Sequence, residues 1–87
     1  MEDECISLFS KKVYNMLHNR FKNCYIQMDY DEYDNVLHII IRFYNGLVYT
    51  QDVTNPLGQI FKGLQAYQLV NSITRGCRNE ILKYYFR

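Results

Sequence analysis

The sequence has little of what marks disordered, membrane-spanning or secreted chains. It has one proline among 87 residues, and 22% of its residues are charged, which is not the composition of a disordered region. Its most apolar stretch, residues 36–41, includes His38 and is too short to cross a membrane. The chain begins Met-Glu-Asp-Glu, whereas a secretory signal needs basic residues there. We therefore expect one cytoplasmic domain over residues 1–87, with no membrane partner.

Cysteine is also sparse. Cys5, Cys24 and Cys77 are odd in number and form no Cys-x-x-Cys pair, which argues against a disulfide scaffold and for a reducing compartment. The two histidines, His18 and His38, do not have zinc-like spacing to them. We expect no metal site and no cofactor, and we expect the cysteines to serve as small apolar residues in or near the core.

No signature of a catalytic site occurs in the chain. Gly-x-Ser-x-Gly, a phosphate-cradling glycine loop and His-Glu-x-x-His are all absent. His38 could form an imidazole–carboxylate pair with Asp29 across two strands, but no nucleophile has an evident place beside it. The sequence therefore predicts a protein that is not an enzyme.

What the chain does have in excess is aromatic residues, above all tyrosine. Nine tyrosines and five phenylalanines, with no tryptophan, make up 16% of the residues. Tyrosine combines an apolar ring with a polar tip and is enriched at interfaces. A core of this size cannot hide nine tyrosines with their hydroxyl groups satisfied, so we expect several to be exposed.

Hydrophobic spacing predicts three helices. Apolar residues recur at three- and four-residue intervals over residues 3–21, and again over about 65–85. Between them, Asn55 and Pro56 are suited to cap and begin a short helix. We place a bend or break near Gly63, so the last two helices could also be one bent helix.

The remaining apolar stretches predict three strands, at residues 24–30, 36–44 and 47–53. Matching the apolar faces of the first two pairs Met28 with Ile39, and Val48 of the third strand is expected under the helices. The predicted fold class is α+β, a three-stranded antiparallel sheet with helices on one face, in the order α-β-β-β-α-α.

The second hairpin determines which residues the uncovered side of the sheet carries. Asn45-Gly46 favours a two-residue type I′ turn, which pairs Arg42 with Tyr49. Tyr25, Arg42 and Tyr49 then form one row on the side away from the helices. This mixture is typical of interfaces, so the row is a candidate partner-binding surface. The alternative is cross-strand pairing that only stabilises the sheet.

The first hairpin has an acidic turn, with these residues as candidates for partner binding: Asp29, Asp31, Glu32, Tyr33 and Asp34. A calcium site would need a glycine at the sharp bend, and none is present. The carboxylates could instead enter a basic groove of a partner and imitate nucleic-acid phosphates. A solvated hairpin tip, whose acids supply turn chemistry, is the other interpretation.

Basic residues predominate at the other end of the chain. Residues 53–87 carry five basic residues and a single acid, Glu80. Arg75, Arg78 and Lys83 lie along the last predicted helix and form an alternative, nucleic-acid-binding surface. The net charge of only +1 makes nucleic acid the less favoured partner.

The chain resembles small phage-encoded anti-CRISPR proteins, which block an RNA-guided nuclease. The likeness lies in the length, the α-β-β-β-α-α layout, the central strand LHIIIRF at residues 37–43 and the Asn45-Gly46 hairpin. It covers most of the chain as a layout. The resemblance implies that acidic residues occupy a DNA-binding groove of the nuclease.

We therefore expect a non-catalytic binding protein, namely a phage or mobile-element inhibitor of a host nucleic-acid-handling protein such as a CRISPR nuclease. One alternative is a small nucleic-acid-binding regulator that uses the basic last helix. Another is a homodimeric accessory protein, since Tyr84, Tyr85 and Phe86 end the chain with more aromatic surface than one helix stripe buries.

Overall fold

The computed structural model describes residues 2–85, with side chains from Glu4 to Tyr85. The six elements are α1 Glu2–Arg20, β1 Cys24–Asp31, β2 Val36–Phe43, β3 Val48–Thr54, α2 Pro56–Phe61 and α3 Ala66–Tyr85. The strands form one antiparallel sheet in the order β1-β2-β3. The predicted α+β class and element order are confirmed.

The core lies between one face of the sheet and the two long helices. Ile39 and Ile41 of the central strand β2 are fully buried, against Val13 of α1 and the apolar face of α3. The first hairpin pairs Met28 with Ile39, as predicted. Because strand side chains alternate between faces, this register turns every even-numbered residue of β2 away from the helices.

The second hairpin differs from its predicted form by one residue. The backbone N–H of Gly46 donates to the carbonyl of Phe43 (3.0 Å), and that of Phe43 donates to the carbonyl of Leu47 (2.9 Å). Gly46 has a φ of 91°, whereas Asn45 is not among the residues with positive φ. This is a three-residue loop in which a type I turn is followed by a left-handed glycine, not a type I′ turn.

The longer loop shifts β3 by one position relative to β2. Arg42 pairs with Val48, and Ile41 pairs with Tyr49, so the predicted pairing of Arg42 with Tyr49 is wrong. Each β3 side chain therefore lies on the face opposite to the predicted one. Val48 is 49% exposed rather than covered by helices, and Val53 is buried rather than open to solvent.

Tyr49 consequently packs against α3. A Cβ atom added to Gly76 would collide with the Tyr49 ring, so the ring lies directly on the helix backbone at that point. The Tyr49 hydroxyl donates to Gln51 Oε1 (2.6 Å), and Gln51 Nε2 donates to Ser72 Oγ (3.2 Å). Partial burial raises the pKa of Tyr49. These contacts attach β3 to α3.

The last two helices are separate, and the break falls near Gly63 as predicted. The Asn55 side chain accepts a hydrogen bond from the Gly58 backbone N–H (3.3 Å), and Pro56 begins α2. Gly63 has a φ of 110°, a conformation that other residues rarely adopt, and α3 begins at Ala66. The short helix α2 packs against α1 beside the first hairpin.

Candidate interaction surfaces

The sheet face opposite the helices is uncovered, and we call it the open face. Its twelve outward-facing residues are all exposed or half-buried: Tyr25, Gln27, Asp29, Asp31, Val36, His38, Ile40, Arg42, Val48, Thr50, Asp52 and Thr54. Every buried strand residue lies on the other face, against α1 and α3. The open face is therefore available for contact with another molecule.

One half of the open face has no acidic residue and carries Tyr25, Ile40 and Val48 among polar neighbours. Tyr25 is 62% exposed and lies directly opposite Arg42, whose other neighbour is Val48. Ile40 occupies the centre of the sheet in the next row. Tyr25 and Arg42 thus adjoin as predicted, while Val48 takes the place that Tyr49 was expected to hold.

The other half of the open face is acidic. Asp29 on β1 and Asp52 on β3 flank His38 on β2. His38 Nδ1 is 2.7 Å from Asp52 Oδ1, whereas Asp29 Oδ2 accepts from Gln27 Nε2 (2.6 Å). The expected partner of His38 was Asp29. Asp52 was missed because the predicted β3 register placed it under the helices.

His38 should titrate above its usual range. The hydrogen bond with Asp52 raises the pKa of His38, partial desolvation lowers it, and the charges of Asp52, Asp31 and Asp29 raise it further. Because the pKa of His38 is higher in the folded state, its protonation stabilises the fold. This contribution is fully present below the unfolded pKa of about 6.5 and disappears as pH rises through the folded pKa. Titration of the His38 ring by NMR measures the pKa, and Asp52→Asn should lower it. An unchanged pKa in that variant would contradict the pairing.

The turn between β1 and β2 extends the acidic half. Asp31 Oδ1 accepts hydrogen bonds from the backbone N–H groups of Tyr33 (3.0 Å) and Asp34 (3.2 Å), so this carboxylate has the turn-forming role. Glu32 and Asp34 are exposed, and Tyr33 is 97% exposed at the tip.

We call Asp29, Asp31, Glu32, Asp34 and Asp52 the acidic end. Within residues 2–85, no lysine or arginine forms an ion pair with any of these carboxylates. Their negative charge is therefore not neutralised within the described fold, apart from the contact of Asp52 with His38.

No group of three His, Cys, Asp or Glu side chains within the described residues is placed to hold a metal ion. Burial raises the pKa of the Cys77 thiol to about 12, so the thiol stays protonated near neutral pH. Burial also raises the pKa of Cys24, whose Sγ contacts the Phe21 carbonyl (3.5 Å). In the same part of the chain, no helix has the length and apolarity needed to span a membrane.

The predicted basic surface on the last helix is only partly brought together. Arg75 and Arg78 line a groove between α3 and the end of α1, together with Arg20. Lys83 does not line it, and its Nζ lies 3.6 Å from Glu80 Oε1 instead. Arg20 belongs to α1, more than 50 positions away in the chain, and the spacing along the last helix does not indicate that it lies beside Arg75 and Arg78.

The aromatic end of α3 is exposed. Tyr84 and Tyr85 are 48% and 67% exposed and pack edge to face against each other. Phe86, the third residue of the predicted pairing surface, lies outside the described residues. Homodimer formation stays a prediction.

Comparisons of the chain with protein-family models, curated proteins and solved structures give no match. The likeness to anti-CRISPR proteins is therefore a prediction from length and layout. The class that the fold itself defines is a small α+β domain with one open sheet face and a strong separation of charge.

Proposed function

We propose that the protein is a non-catalytic inhibitor that docks its open face against a basic groove of a host nucleic-acid-handling protein, such as an RNA-guided nuclease. The observation that carries this proposal is the open face itself. It combines a half that carries Tyr25, Ile40 and Val48 with an acidic end that no lysine or arginine of the described chain neutralises.

Charge complementarity selects the partner. Like charges in one small region repel each other, and within the described residues neither the Glu32 nor the Asp34 side chain at the exposed tip makes a hydrogen bond or an ion pair. A partner groove lined with arginine and lysine for phosphate binding would convert that repulsion into attraction and speed association. Nucleic-acid-handling proteins carry such grooves. The acidic end would occupy the positions of the phosphates.

The half of the open face that carries Tyr25, Ile40 and Val48 supplies apolar contact area, which the acidic end lacks. Interfaces combine an apolar centre with a polar rim, and aromatic residues and arginine are enriched in them. Tyr25, Arg42 and Val48 have this composition and lie beside the acidic end on the same face. The whole surface therefore has the arrangement of a protein-binding face.

The test is inhibition of target-DNA cleavage by a guide-loaded RNA-guided nuclease of the host. We expect stoichiometric protein to suppress cleavage. Removing three carboxylates that form no ion pair in the described fold, by Asp29→Asn, Glu32→Gln and Asp34→Asn, should slow association about tenfold at low salt, because steering of this kind contributes about 10- to 1,000-fold. Stopped-flow or biosensor measurement across salt concentrations gives the rate. Asp31 is kept because its carboxylate forms the turn.

Glu80→Gln is the control for Glu32→Gln, since it also removes one negative charge, from a carboxylate of α3 that pairs with Lys83. We expect Glu80→Gln to associate at the wild-type rate and Glu32→Gln more slowly. The proposal is overturned if the host's nucleases cleave at full rate in the presence of the protein, or if the triple variant inhibits and associates as the wild type does at every salt concentration.

A further inference from the structure

A groove of about 460 Å³ lies between the end of α1 and the middle of α3, on the helical side of the molecule. Its lining is polar and cationic, and consists of Arg20, Gln68, Asn71, Thr74, Arg75 and Arg78. Within the part of the chain that the structure describes, no carboxylate lines the groove. The groove is separate from the open face, so it requires its own explanation.

Arg20 is held in position by neutral groups. Its Nη1 donates to Asn71 Oδ1 (3.0 Å) and to Thr74 Oγ1 (3.1 Å). The Thr74 hydroxyl donates a hydrogen bond to the Val70 carbonyl (2.7 Å), so its oxygen can accept the hydrogen bond from Arg20. These contacts orient the guanidinium without cancelling its charge. Among the described residues, its Nε and Nη2 have no hydrogen-bond partner, and this is the edge that binds an oxyanion with two parallel hydrogen bonds.

Arg75 and Arg78 add two further charges to the same groove. They are three residues apart on α3, which places their Cβ atoms about 5–6 Å from each other. Both are exposed, and neither forms an ion pair within residues 2–85. The nearby acid of the same helix, Glu80, is already paired with Lys83. Three arginines therefore line one groove, and no acidic side chain of the described residues forms an ion pair with any of them.

We propose that this groove binds adjacent phosphate groups, either the phosphodiesters of a nucleic-acid strand or the phosphates of a nucleoside polyphosphate. The planar fork of arginine matches phosphate oxygens in pairs, and three such forks suit a ligand with more than one phosphate. Gln68 and Asn71 add amide groups to the lining of the groove. The Asn71 oxygen accepts the hydrogen bond from Arg20, which leaves its amino group to donate to a phosphate oxygen.

The two sources of phosphate are tested with two probes, a fluorescent single-stranded 20-nucleotide DNA and a fluorescent ATP analogue, by anisotropy from 25 to 300 mM salt. Three phosphate contacts predict a slope of log affinity against log salt of about −2 for a single strand. Arg75→Gln with Arg78→Gln should weaken binding about tenfold or more and bring the slope to about −0.7.

The control is Lys11→Gln with Lys12→Gln on the exposed surface of α1. Both double variants change the net charge from +1 to −1, so they differ only in where the charge is removed. We expect the lysine variant to bind within about twofold of the wild type. Circular dichroism establishes that both fold, which is expected because all four side chains are exposed.

Each result has one meaning. Arginine-dependent binding of the oligonucleotide identifies a nucleic-acid strand as the ligand, and arginine-dependent binding of the ATP analogue alone identifies a nucleotide. Equal losses in the two double variants would mean that only overall charge matters, and would overturn the proposal. Failure of both probes to bind at 1 mM protein and 25 mM salt would overturn it as well.

Discussion

Replacing Ile39 with alanine is expected to lower the free energy of unfolding by about 2–5 kcal/mol, the cost of leaving a cavity in a packed core. Ile39 is 0% exposed at the centre of β2, where both long helices and the two outer strands meet. Small domains have a total stability of about 5–15 kcal/mol, so the variant should be close to unfolding. The midpoint of urea denaturation measures the loss.

Its neighbour Ile40 is the matched control, because the two residues are adjacent in the chain and lie on opposite faces of the sheet. Ile40 is half-buried on the open face, so Ile40→Ala should cost less than about 1 kcal/mol. Equal losses in the two variants would show that both faces of the sheet are covered, and the open face could then not serve as a docking surface.

Gly76→Ala is expected to destabilise the protein by up to about 2 kcal/mol, although alanine is the better helix former. The added methyl group would meet the ring of Tyr49, and forcing atoms into a packed site costs more than the gain of about 1 kcal/mol in helix propensity. In a Tyr49→Ala background the obstacle is absent, so the same substitution should stabilise by about 1 kcal/mol.

A double-mutant cycle on residues 49 and 76, followed by urea denaturation, measures this change of sign. The cycle also tests the register of β3. If Tyr49 lay on the open face, as the two-residue turn predicted, Gly76→Ala would stabilise both backgrounds equally.

The element order was readable from the sequence because each element carries a local signal. The apolar spacing of α1, the isoleucines of β2 and the Asn55-Pro56 cap identify their elements without reference to the rest of the chain. The first hairpin was also predictable, since only one register buries the apolar residues of both strands.

The second hairpin was not predictable in the same way. Asn-Gly suits a type I′ turn, but a glycine in that position equally suits the left-handed residue that follows a type I turn. Strand β3 alternates with apolar residues on both faces, Val48 on one and Tyr49 and Val53 on the other, so hydrophobic matching did not separate the two registers. Because the true register of β3 differs from the predicted one by one residue, Tyr49 lies on the helix side of the sheet and Asp52 lies on the open face.

By itself, the sequence determined the fold class, the element order, the acidic turn and the excess of basic residues after residue 52, because these follow from local spacing and composition. Tertiary structure alone decided which residues of β3 and of α1 complete the two surfaces. Asp52 joins Asp29 around His38 through the register of a turn, and Arg20 joins Arg75 and Arg78 through the packing of α1 on α3. Both groupings depend on contacts between residues far apart in the chain, and no local pattern encodes such contacts.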